Sequence, residues 1–274
     1  MPRALPIFLV IFILVGVLPA QQNADSRLAT IAHLAALKES DVNDLLSQAQ
    51  SGDREAQYWV GQVYEEGRLI PKSYAVSREW MLKSAEQGYA PAQEIVGRMY
   101  MGASGDYGKA DMWLRRAAEQ GNAEAQLWLG TAYEQGWIGT TDYREAFKWL
   151  QKAAQQGHPD AQVSLGQMYE DGEFVPQNYA LAAKWYRNAA EHVPDLGGAG
   201  QGRNNLGLRY LSVGVPKNYV LAYMWFALAS VDTNLKEAAS HMTPAQVAQA
   251  QRMARDWTKQ HATTQEEISS VLKH

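Results

Sequence analysis

A pattern of small, apolar and aromatic positions recurs five times along this chain of 274 residues. Its first block opens with an Ala-Gln pair and contains Ala56, Val60 and Tyr64, which are four residues apart and so share one face of a helix. A glycine marks each copy, at Gly61, Gly97, Gly130, Gly166 and Gly207. These glycines are 36, 33, 36 and 41 residues apart, and the fifth copy lacks the Ala-Gln pair. The pattern predicts a repeated helix, the A helix.

A second block follows each first block and predicts a B helix. It starts with tyrosine and places further template residues at +3, +6 and +10, as in Tyr74, Ser77, Trp80 and Ser84. Steps of three and four residues trace one helical face. The residue before each tyrosine belongs to the helix N-cap class: Ser73, Asp106, Asp142, Asn178 and Asn218. Glycines after three B blocks predict left-handed helix ends: Gly88, Gly121 and Gly157.

The small residues of the A helix predict how the two helices pack. Gly61 has no side chain, so a bulky group of the B helix can approach the A helix closely there. We expect Trp80 to be that group, and we expect its equivalents and the repeated tyrosines to lie in the core. A single helical hairpin cannot enclose side chains of this size. Several stacked copies are therefore needed to bury them.

The combined pattern resembles the Sel1-like repeat, a variant of the tetratricopeptide repeat. In the third copy Ala125 to Tyr133 matches the family's A-x-x-x-L-G-x-x-Y helix. Asp142 to Ala154, followed by Gly157, matches its D-Y-x-x-A-x-x-W helix that ends in A-A and glycine. The resemblance covers residues 52–233. It implies an all-α fold, a right-handed superhelical α/α solenoid of about five repeats with helical N- and C-terminal caps.

The pattern also predicts the boundaries of the units. N-terminal capping helices at 21–51 precede repeats at 52–87, 88–120, 121–156 and 157–192, an insertion at 193–201, a degenerate fifth repeat at 202–233, and a C-terminal capping helix and tail at 234–274. Within the N-terminal part, 26–38 and 41–50 have helical patterns. The C-terminal helix opens at Thr243-Pro244-Ala245-Gln246, a capping box with proline at the first helical position.

Residues 1–20 predict export. Arg3 precedes an apolar run from Ile7 to Leu18, and Pro19-Ala20 follows, as in a secretory signal peptide. The run is shorter than the roughly twenty apolar residues of a transmembrane helix. Leu18 stands where a small residue is preferred before a cut after Ala20, so a retained membrane anchor stays an alternative to cleavage. Both alternatives predict a periplasmic or secreted protein that contacts a membrane only through this segment.

Charge and composition narrow the classes of ligand. The formal net charge of −4 argues against nucleic acid as the main partner. The absence of cysteine excludes disulfides, thiol catalysis and cysteine metal sites. No two of the six histidines have the i, i+4 spacing of metal ligands on a helix, and we expect them to be scattered surface residues. The sequence therefore predicts no metal and no cofactor.

Motifs for catalysis do not occur in the sequence. There is no G-x-S-x-G serine elbow. Three glycines between Gly198 and Gly202 look superficially like a phosphate-binding loop, but the preceding strand is missing, and we expect a flexible loop between repeats. Glu65-Glu66, Glu134 and Glu170-Asp171 lie near the ends of successive A helices. They predict a solvated acidic ridge that could steer a basic partner.

The resemblance implies a non-catalytic adaptor that binds a protein or peptide on the concave face of the solenoid. Exported relatives of this kind act in signalling inhibition, in envelope assembly and as immunity proteins. Two alternatives stay open. One is binding of a carbohydrate or peptidoglycan fragment. The other is a β-lactam-interacting enzyme, since some family members have been linked to β-lactams, although no S-x-x-K pattern occurs in the repeat region.

Residues of the A helices that vary among the copies are candidates for partner binding. They form two sets of equivalent positions: Tyr58, Glu94 and Leu127, and Gln62, Arg98 and Thr131. Aromatic residues outside the repeat template are further candidates, namely Trp59, Trp128 and Trp137. For Trp59 and Trp128 the alternative is that they fill gaps between repeats.

Overall fold

A computed structural model describes residues 30, 33, 34, 36–191, 198–212 and 216–271, without the side chains of 103, 104 and 262–271. The predicted signal peptide at 1–20, part of the predicted helix at 26–38 and most of the predicted insertion lie outside the described residues. The described chain forms thirteen α-helices and no strand. They are α1 Glu39–Gln50, α2 Arg54–Glu66, α3 Tyr74–Glu86, α4 Ala90–Met99, which continues as a π-helical segment Tyr100–Ser104, α5 Tyr107–Glu119, α6 Ala123–Glu134, α7 Tyr143–Gln155, α8 Pro159–Asp171, α9 Tyr179–Ala190, α10 Ala199–Leu211, α11 Tyr219–Ala229, α12 Asp232–Ser240 and α13 Pro244–Val271.

The helices stack in the order of the chain. The A helices are α2, α4, α6, α8 and α10, and each packs against the B helix that follows it. Each B helix then packs against the next A helix, and neighbouring A helices also touch, as α4 touches α6 and α8 touches α10. At the ends α1 packs on α2, while α12 and α13 pack on α11. The fold is the predicted all-α solenoid.

Local signals at the helix ends are confirmed. All five predicted N-cap side chains accept a hydrogen bond from a backbone N–H in the first turn of a B helix. The three glycines after the B blocks have left-handed φ values of 84°, 92° and 88°. At α13, Thr243 Oγ1 accepts from the N–H of Gln246 at 3.3 Å, and Gln246 Oε1 accepts from the N–H of Thr243 at 2.8 Å. The predicted capping box is therefore present.

The close approach at each A-helix glycine is real, but the prediction that tryptophan makes it is wrong. A Cβ on Gly130 would lie 2.7 Å from Leu150 Cγ, and a Cβ on Gly166 would lie 2.5 Å from Tyr186 Cε1. The approaching residue is the one after each tryptophan. Since a helix turns about 100° per residue, this places tryptophan beside the hairpin contact. Trp149 is buried against residues of α5 and α6, so it fills the junction with the preceding repeat.

Buried glutamines link each repeat to the one before it. The Nε2 atoms of Gln57, Gln93, Gln126 and Gln162 donate to the carbonyls of Ala49, Ala85, Ala118 and Ala154 at 3.0–3.2 Å. A second glutamine, at the end of the B helix, donates to the side-chain oxygen of the first at 2.7 Å. These pairs are Gln87 with Gln57, Gln120 with Gln93, and Gln156 with Gln126. The Ala-Gln pair is thus a connector between repeats, which we call the glutamine ladder.

The glutamine ladder changes in the last two repeats. The residue equivalent to Gln156 in the fourth repeat is His192, which lies outside the described residues, and the buried Oε1 of Gln162 has no hydrogen-bond partner in the described structure. In the fifth repeat Arg203 replaces the glutamine, and its Nε donates to the Ala190 carbonyl at 3.0 Å. The Arg203 guanidinium also lies 4.8 Å from the ring centre of Trp257 on α13. Arg203 therefore joins the C-terminal helix to the repeat array.

The glycines between Gly198 and Gly202 do not form the flexible loop that we expected. Gly198 is the N-cap of α10, and the other two lie inside the helix, which begins at Ala199. A Cβ on Gly202 would lie 2.7 Å from Ala189 Cβ and 3.0 Å from the Ala190 nitrogen. Gly202 lets α10 approach α9 closely, and a Cβ on Gly198 would lie 2.9 Å from the backbone of Asp160 at the start of α8, so packing explains these two glycines without a phosphate-binding role.

Candidate functional site on the A helices

Equivalent positions of the A helices follow one another along one side of the stack, and direct contacts join α4 to α6 and α8 to α10 on that side. The set Gln62, Arg98 and Thr131 continues in the last repeats as Gln167 and Leu208. The set Tyr58, Glu94 and Leu127 continues as Val163 and Asn204. We call the surface made by these positions and their immediate neighbours the A-helix surface.

At the N-terminal end this surface is covered. Tyr58 and Trp59 are each only 6% exposed. The ring of His33 lies 4.0 Å from that of Trp59, and Arg68 Nη2 donates to the carbonyl of Leu34 at 2.5 Å. The hypothesis that Tyr58 and Trp59 are exposed contact residues is therefore corrected, because N-terminal residues pack over them. Their aromatic bulk fills space at this end, which was the alternative for Trp59.

Hydrogen bonding and burial determine the protonation state of the Tyr58 hydroxyl. Burial raises the pKa of Tyr58, while its hydrogen bonds to Thr30 and Gln62 lower it and the charge of Glu94 raises it. The net pKa shift is upward. The hydroxyl is therefore protonated at neutral pH, and Gln62 is engaged with it at the edge of the A-helix surface.

In the second and third repeats the structure brings three candidates into contact, Glu94, Arg98 and Trp128. Glu94 is buried and forms an ion pair with Arg98 at 3.1 Å. The Arg98 guanidinium lies 5.4 Å from the ring centre of Trp128, whose Nε1 is buried without a hydrogen-bond partner. Leu127 is half-buried and packs towards the next repeat, on the core of α7 and α8. Thr131, one turn further along α6, is also half-buried.

Exposed aromatic residues occur mainly at the turns between A and B helices. Trp137 lies in such a turn, apart from the other candidates, and is partly exposed. The prediction that the B-helix tyrosines are core residues is wrong for Tyr74, which is 64% exposed, and for the partly exposed Tyr107 and Tyr143. Each is the first residue of its helix, where the chain enters from a surface turn, and the buried face starts three residues later.

One histidine departs from the expected surface location. His158 is buried at the start of α8, with its Nε2 3.4 Å from Glu124 Oε1. This contact joins the first turns of α6 and α8. In the described part of the chain no three histidine or acidic side chains are arranged to hold a metal ion.

A pocket of about 170 Å³ opens on the A-helix surface between α8 and α10. It is lined by Gln167, Glu170, Asp171, Tyr186, Asn205, Leu208 and Arg209. Only Glu170 and Asp171 were predicted from the sequence, as part of the acidic ridge, although Gln167 and Leu208 are the fourth and fifth members of the Gln62 set. Extending that set through all five copies would have pointed to them.

The pocket contains a partly buried ion pair. Arg209 Nη2 lies 3.0 Å from Glu170 Oε1, with the Arg209 side chain 12% exposed. Tyr186, which is 1% exposed, donates its hydroxyl to Glu170 Oε2 at 2.8 Å. Burial raises the pKa of Tyr186 far above its usual range, and Glu170 raises it further, so the hydroxyl remains a donor. Glu170 is thus paired rather than part of a solvated ridge.

The other acidic residues near this point are crowded. Glu134 is half-buried at the end of α6. Burial raises the pKa of the Glu134 carboxyl, and the charges of Glu173 and Asp171 raise it further. The predicted acidic ridge is therefore partly desolvated in the third and fourth repeats.

Stacked helical hairpins with their A helices in contact define the class of this protein, an α-solenoid of tandem repeats. None of its helices, within the described residues, is both long and apolar enough to span a membrane. Five segments match the Sel1 repeat model, at residues 54–89, 90–122, 123–158, 159–192 and 201–230. They make up more than half of the chain, and the chain belongs to the Sel1 repeat family.

Two solved structures are similar to this chain. One is a Sel1 repeat protein from Oxalobacter formigenes, at 26% identity and a TM-score of 0.66, covering 79% of this chain and 90% of that chain. The other is c5321, a protective antigen present in uropathogenic Escherichia coli strains, at 26% identity and a TM-score of 0.53. That match covers 86% of this chain and only 59% of c5321. None of the curated proteins matches the chain. Sel1 repeat proteins are generally protein-interaction scaffolds.

Proposed function

We propose that this protein is a non-catalytic scaffold that binds a protein or peptide on the A-helix surface. The observation that carries the proposal is the contrast between framework and outward positions. The glutamine ladder repeats the same side chain in four copies. The outward set carries amide, cationic, hydroxyl and apolar side chains instead: Gln62, Arg98, Thr131, Gln167 and Leu208. A purely structural role would favour one residue type, whereas a specific extended partner favours variation.

The contacts between A helices also support the A-helix surface as the binding face. In a layer whose helices touch directly from one repeat to the next, as the A helices do at α4–α6 and α8–α10, neighbouring helices lie close together. In a layer whose helices are separated by a helix of the other layer, they lie further apart. A solenoid curves towards its closely spaced layer, and the inner face of such a curve offers an extended binding surface. On this argument the A-helix surface is the concave face.

We further propose that the protein acts in the bacterial periplasm or at the cell exterior, because residues 1–20 have the pattern of a signal peptide. Its role there is regulatory, structural in envelope assembly, or protective as an immunity protein. The proposed partner is a protein or peptide, without a cofactor and without nucleic acid.

Binding of a carbohydrate is the second candidate function. Exposed aromatic rings favour it, because sugars stack on aromatic faces. Three such rings are Tyr74, Trp137 and Phe174, which lie at A–B turns rather than on the A-helix surface. The two functions therefore predict binding at different places.

The test is capture of partners from the exported fraction with the full chain as bait. Thr131→Arg places a long side chain in the middle of the A-helix surface, and Ala180→Arg adds the same side chain on the exposed face of α9. We expect one protein to be captured by the parent and by Ala180→Arg, and to be reduced at least about tenfold by Thr131→Arg. The purified partner should then bind the parent alone in calorimetry.

Two results would overturn the proposal. One is capture of the same proteins in equal amounts by both variants. The other is saturable binding of purified cell-wall glycan that Thr131→Arg leaves unchanged and that Trp137→Ala removes.

A further inference from the structure

The pocket between α8 and α10 has a side-chain set that no other junction between described A helices has. Arg209 occupies a position that is apolar in the other four repeats, where Val63, Met99, Ala132 and Met168 stand. A guanidinium therefore replaces a core side chain at this junction alone. The replacement creates a polar pocket on the A-helix surface rather than a packed contact.

Arg209 brings a donor that the described protein does not use. Its Nη2 is paired with Glu170, and its guanidinium lies 5.6 Å from the ring centre of Tyr179. Its Nε is buried and has no hydrogen-bond partner. A buried donor without a partner is unfavourable, because it has lost its water without gaining an acceptor. Because Nε is closed to solvent in this structure, a ligand acceptor reaches it only when the side chains over it move aside, and such an acceptor would correct this.

The charges of the pocket restrict the ligand. Glu170 already balances Arg209 and accepts from Tyr186. An anionic ligand would face Glu170 and the exposed Asp171, while a cationic ligand would face Arg209. An uncharged group with one acceptor and one donor avoids both repulsions. Its acceptor can meet Arg209 Nε, and its donor can meet a carboxylate.

The remaining polar residues of the pocket fit the same group. Gln167 and Asn205 lie on opposite helices, and each offers an N–H donor and a carbonyl acceptor. The volume of about 170 Å³ is below the roughly 300–1,000 Å³ of sites for drug-sized ligands, and it suits a single side chain. Amide groups have this size and this pairing pattern.

We propose that the pocket binds an uncharged amide of the partner, either a main-chain peptide group or the carboxamide of an Asn or Gln side chain. The carbonyl accepts from Arg209 Nε, the N–H donates towards Glu170 or Asp171, and Gln167 and Asn205 pair with the amide from the two sides. This inference rests on the proposed protein-binding function and names the chemistry of one of its contacts.

The experiment observes the Arg209 Nε–H signal by nuclear magnetic resonance in the ¹⁵N-labelled full chain. Arg209→Lys identifies the signal by its loss. The probe is N-acetylglutamine amide, and its charged analogues are N-acetylglutamate amide and N-acetyllysine amide. We expect a saturable shift with the glutamine probe and binding that is about tenfold weaker with either charged probe. Saturation by a charged probe at equal or lower concentration would overturn the proposal.

A variant pair separates pocket binding from effects on folding. Gln167→Leu combined with Asn205→Leu removes the two flanking amides but leaves Arg209 and Glu170 in place. Gln62→Leu makes the same change at the equivalent position of the first repeat. With equal helicity by circular dichroism, only the double variant should lose the shift of the Arg209 signal. Equal binding by the double variant would overturn the proposal.

Two further outcomes are decisive. Chitobiose carries acetamido groups on a sugar, and tighter binding of chitobiose than of the glutamine probe would overturn the protein-amide assignment in favour of a glycan. Absence of any shift, while a protein sensitive to Thr131→Arg is still captured, would overturn this inference and leave the proposed function intact. Absence of both would overturn the two together.

Discussion

The first three repeats and the last two use the same backbone plan with different buried polar side chains. In the first three repeats every ladder glutamine is satisfied by a second glutamine, as Gln126 is by Gln156. In the fourth repeat the second glutamine is replaced by His192 in the sequence and Gln162 Oε1 has no partner in the described structure, and in the fifth Arg203 takes over the connection. We call the first three repeats the regular half and the last two the irregular half. The regular half shows the hydrogen bonds that the fold repeats, and the irregular half shows where the chain departs from them.

The departures have different consequences. Arg203 is longer than glutamine and reaches both the preceding repeat and Trp257, so it stabilises the C-terminal end. Arg209 leaves a buried donor unused and borders the pocket. An unsatisfied buried polar group lowers stability, and such groups are tolerated where they serve binding. Unlike the unpartnered Trp128 Nε1 of the third repeat, the unused Arg209 donor belongs to a residue that lines a pocket, and this is the reason to look for ligand binding in the irregular half.

The largest expected effect on stability concerns the close packing at the A-helix glycines, which the two halves share. Gly130→Ala places a Cβ 2.7 Å from Leu150 Cγ, and Gly207→Ala places one 2.5 Å from Phe226 Cε1. We expect each to lower the free energy of unfolding by about 2 kcal/mol, because overpacking outweighs the gain in helix propensity. Urea unfolding followed by circular dichroism measures it. Gly108→Ala, with no contact closer than 3.7 Å, is the control and should be neutral or slightly stabilising. Tolerance at one of the first two sites would show that the halves do not share this packing.

A smaller effect separates the two halves. Gln126→Leu removes the hydrogen bond to the Ala118 carbonyl and the hydrogen bond from Gln156, and we expect a loss of about 2 kcal/mol. Gln162→Leu also frees a carbonyl but removes an oxygen that was already unsatisfied, and we expect a loss of about 1 kcal/mol. The comparison is made by urea unfolding at one pH. Equal losses would mean that the second glutamine adds nothing to the ladder.

The smallest effect concerns the crowded carboxylates at the end of the third A helix. Because burial and the charges of Glu173 and Asp171 raise the folded-state pKa of Glu134, its ionised form opposes folding above that pKa. Glu134→Gln should therefore stabilise the protein by about 0.5 kcal/mol at pH 7. The gain should disappear as the pH falls below the ordinary pKa of glutamate, where the parent carboxyl is protonated. Unfolding at pH 7 and pH 4 checks this, with exposed Glu79→Gln as the control. A gain that persists at low pH would contradict the electrostatic cause.

Much of the fold was readable from the sequence because it depends on local rules. The N-cap side chains, the left-handed glycines and the capping box at Thr243 act within one turn of chain, and all are present as predicted. The repeat spacing was sufficient to predict helix pairs and their stacking. The candidate residues Glu94, Arg98 and Trp128 do lie together, because equivalent positions of neighbouring A helices meet.

The remaining features depend on contacts between segments far apart in the chain. Repeat spacing gives the buried face of a B helix to within one residue, and only packing decides that Leu150 rather than Trp149 meets the A-helix glycine. The exposure of Tyr74 follows from its place at a surface turn, not from its residue type. The burial of Tyr58 and Trp59 follows from the N-terminal residues that cover them.

The sequence by itself determined the class of this protein, since a repeated helical hairpin that cannot bury its own aromatic residues must stack into a solenoid. Only the tertiary structure decided which polar groups are satisfied. Whether a glutamine, Arg203 or Arg209 finds a partner depends on the distance and direction of atoms in the next repeat. Spacing along the chain does not contain that information. The pocket between α8 and α10 lies where Arg209 replaces the apolar side chain of the other repeats.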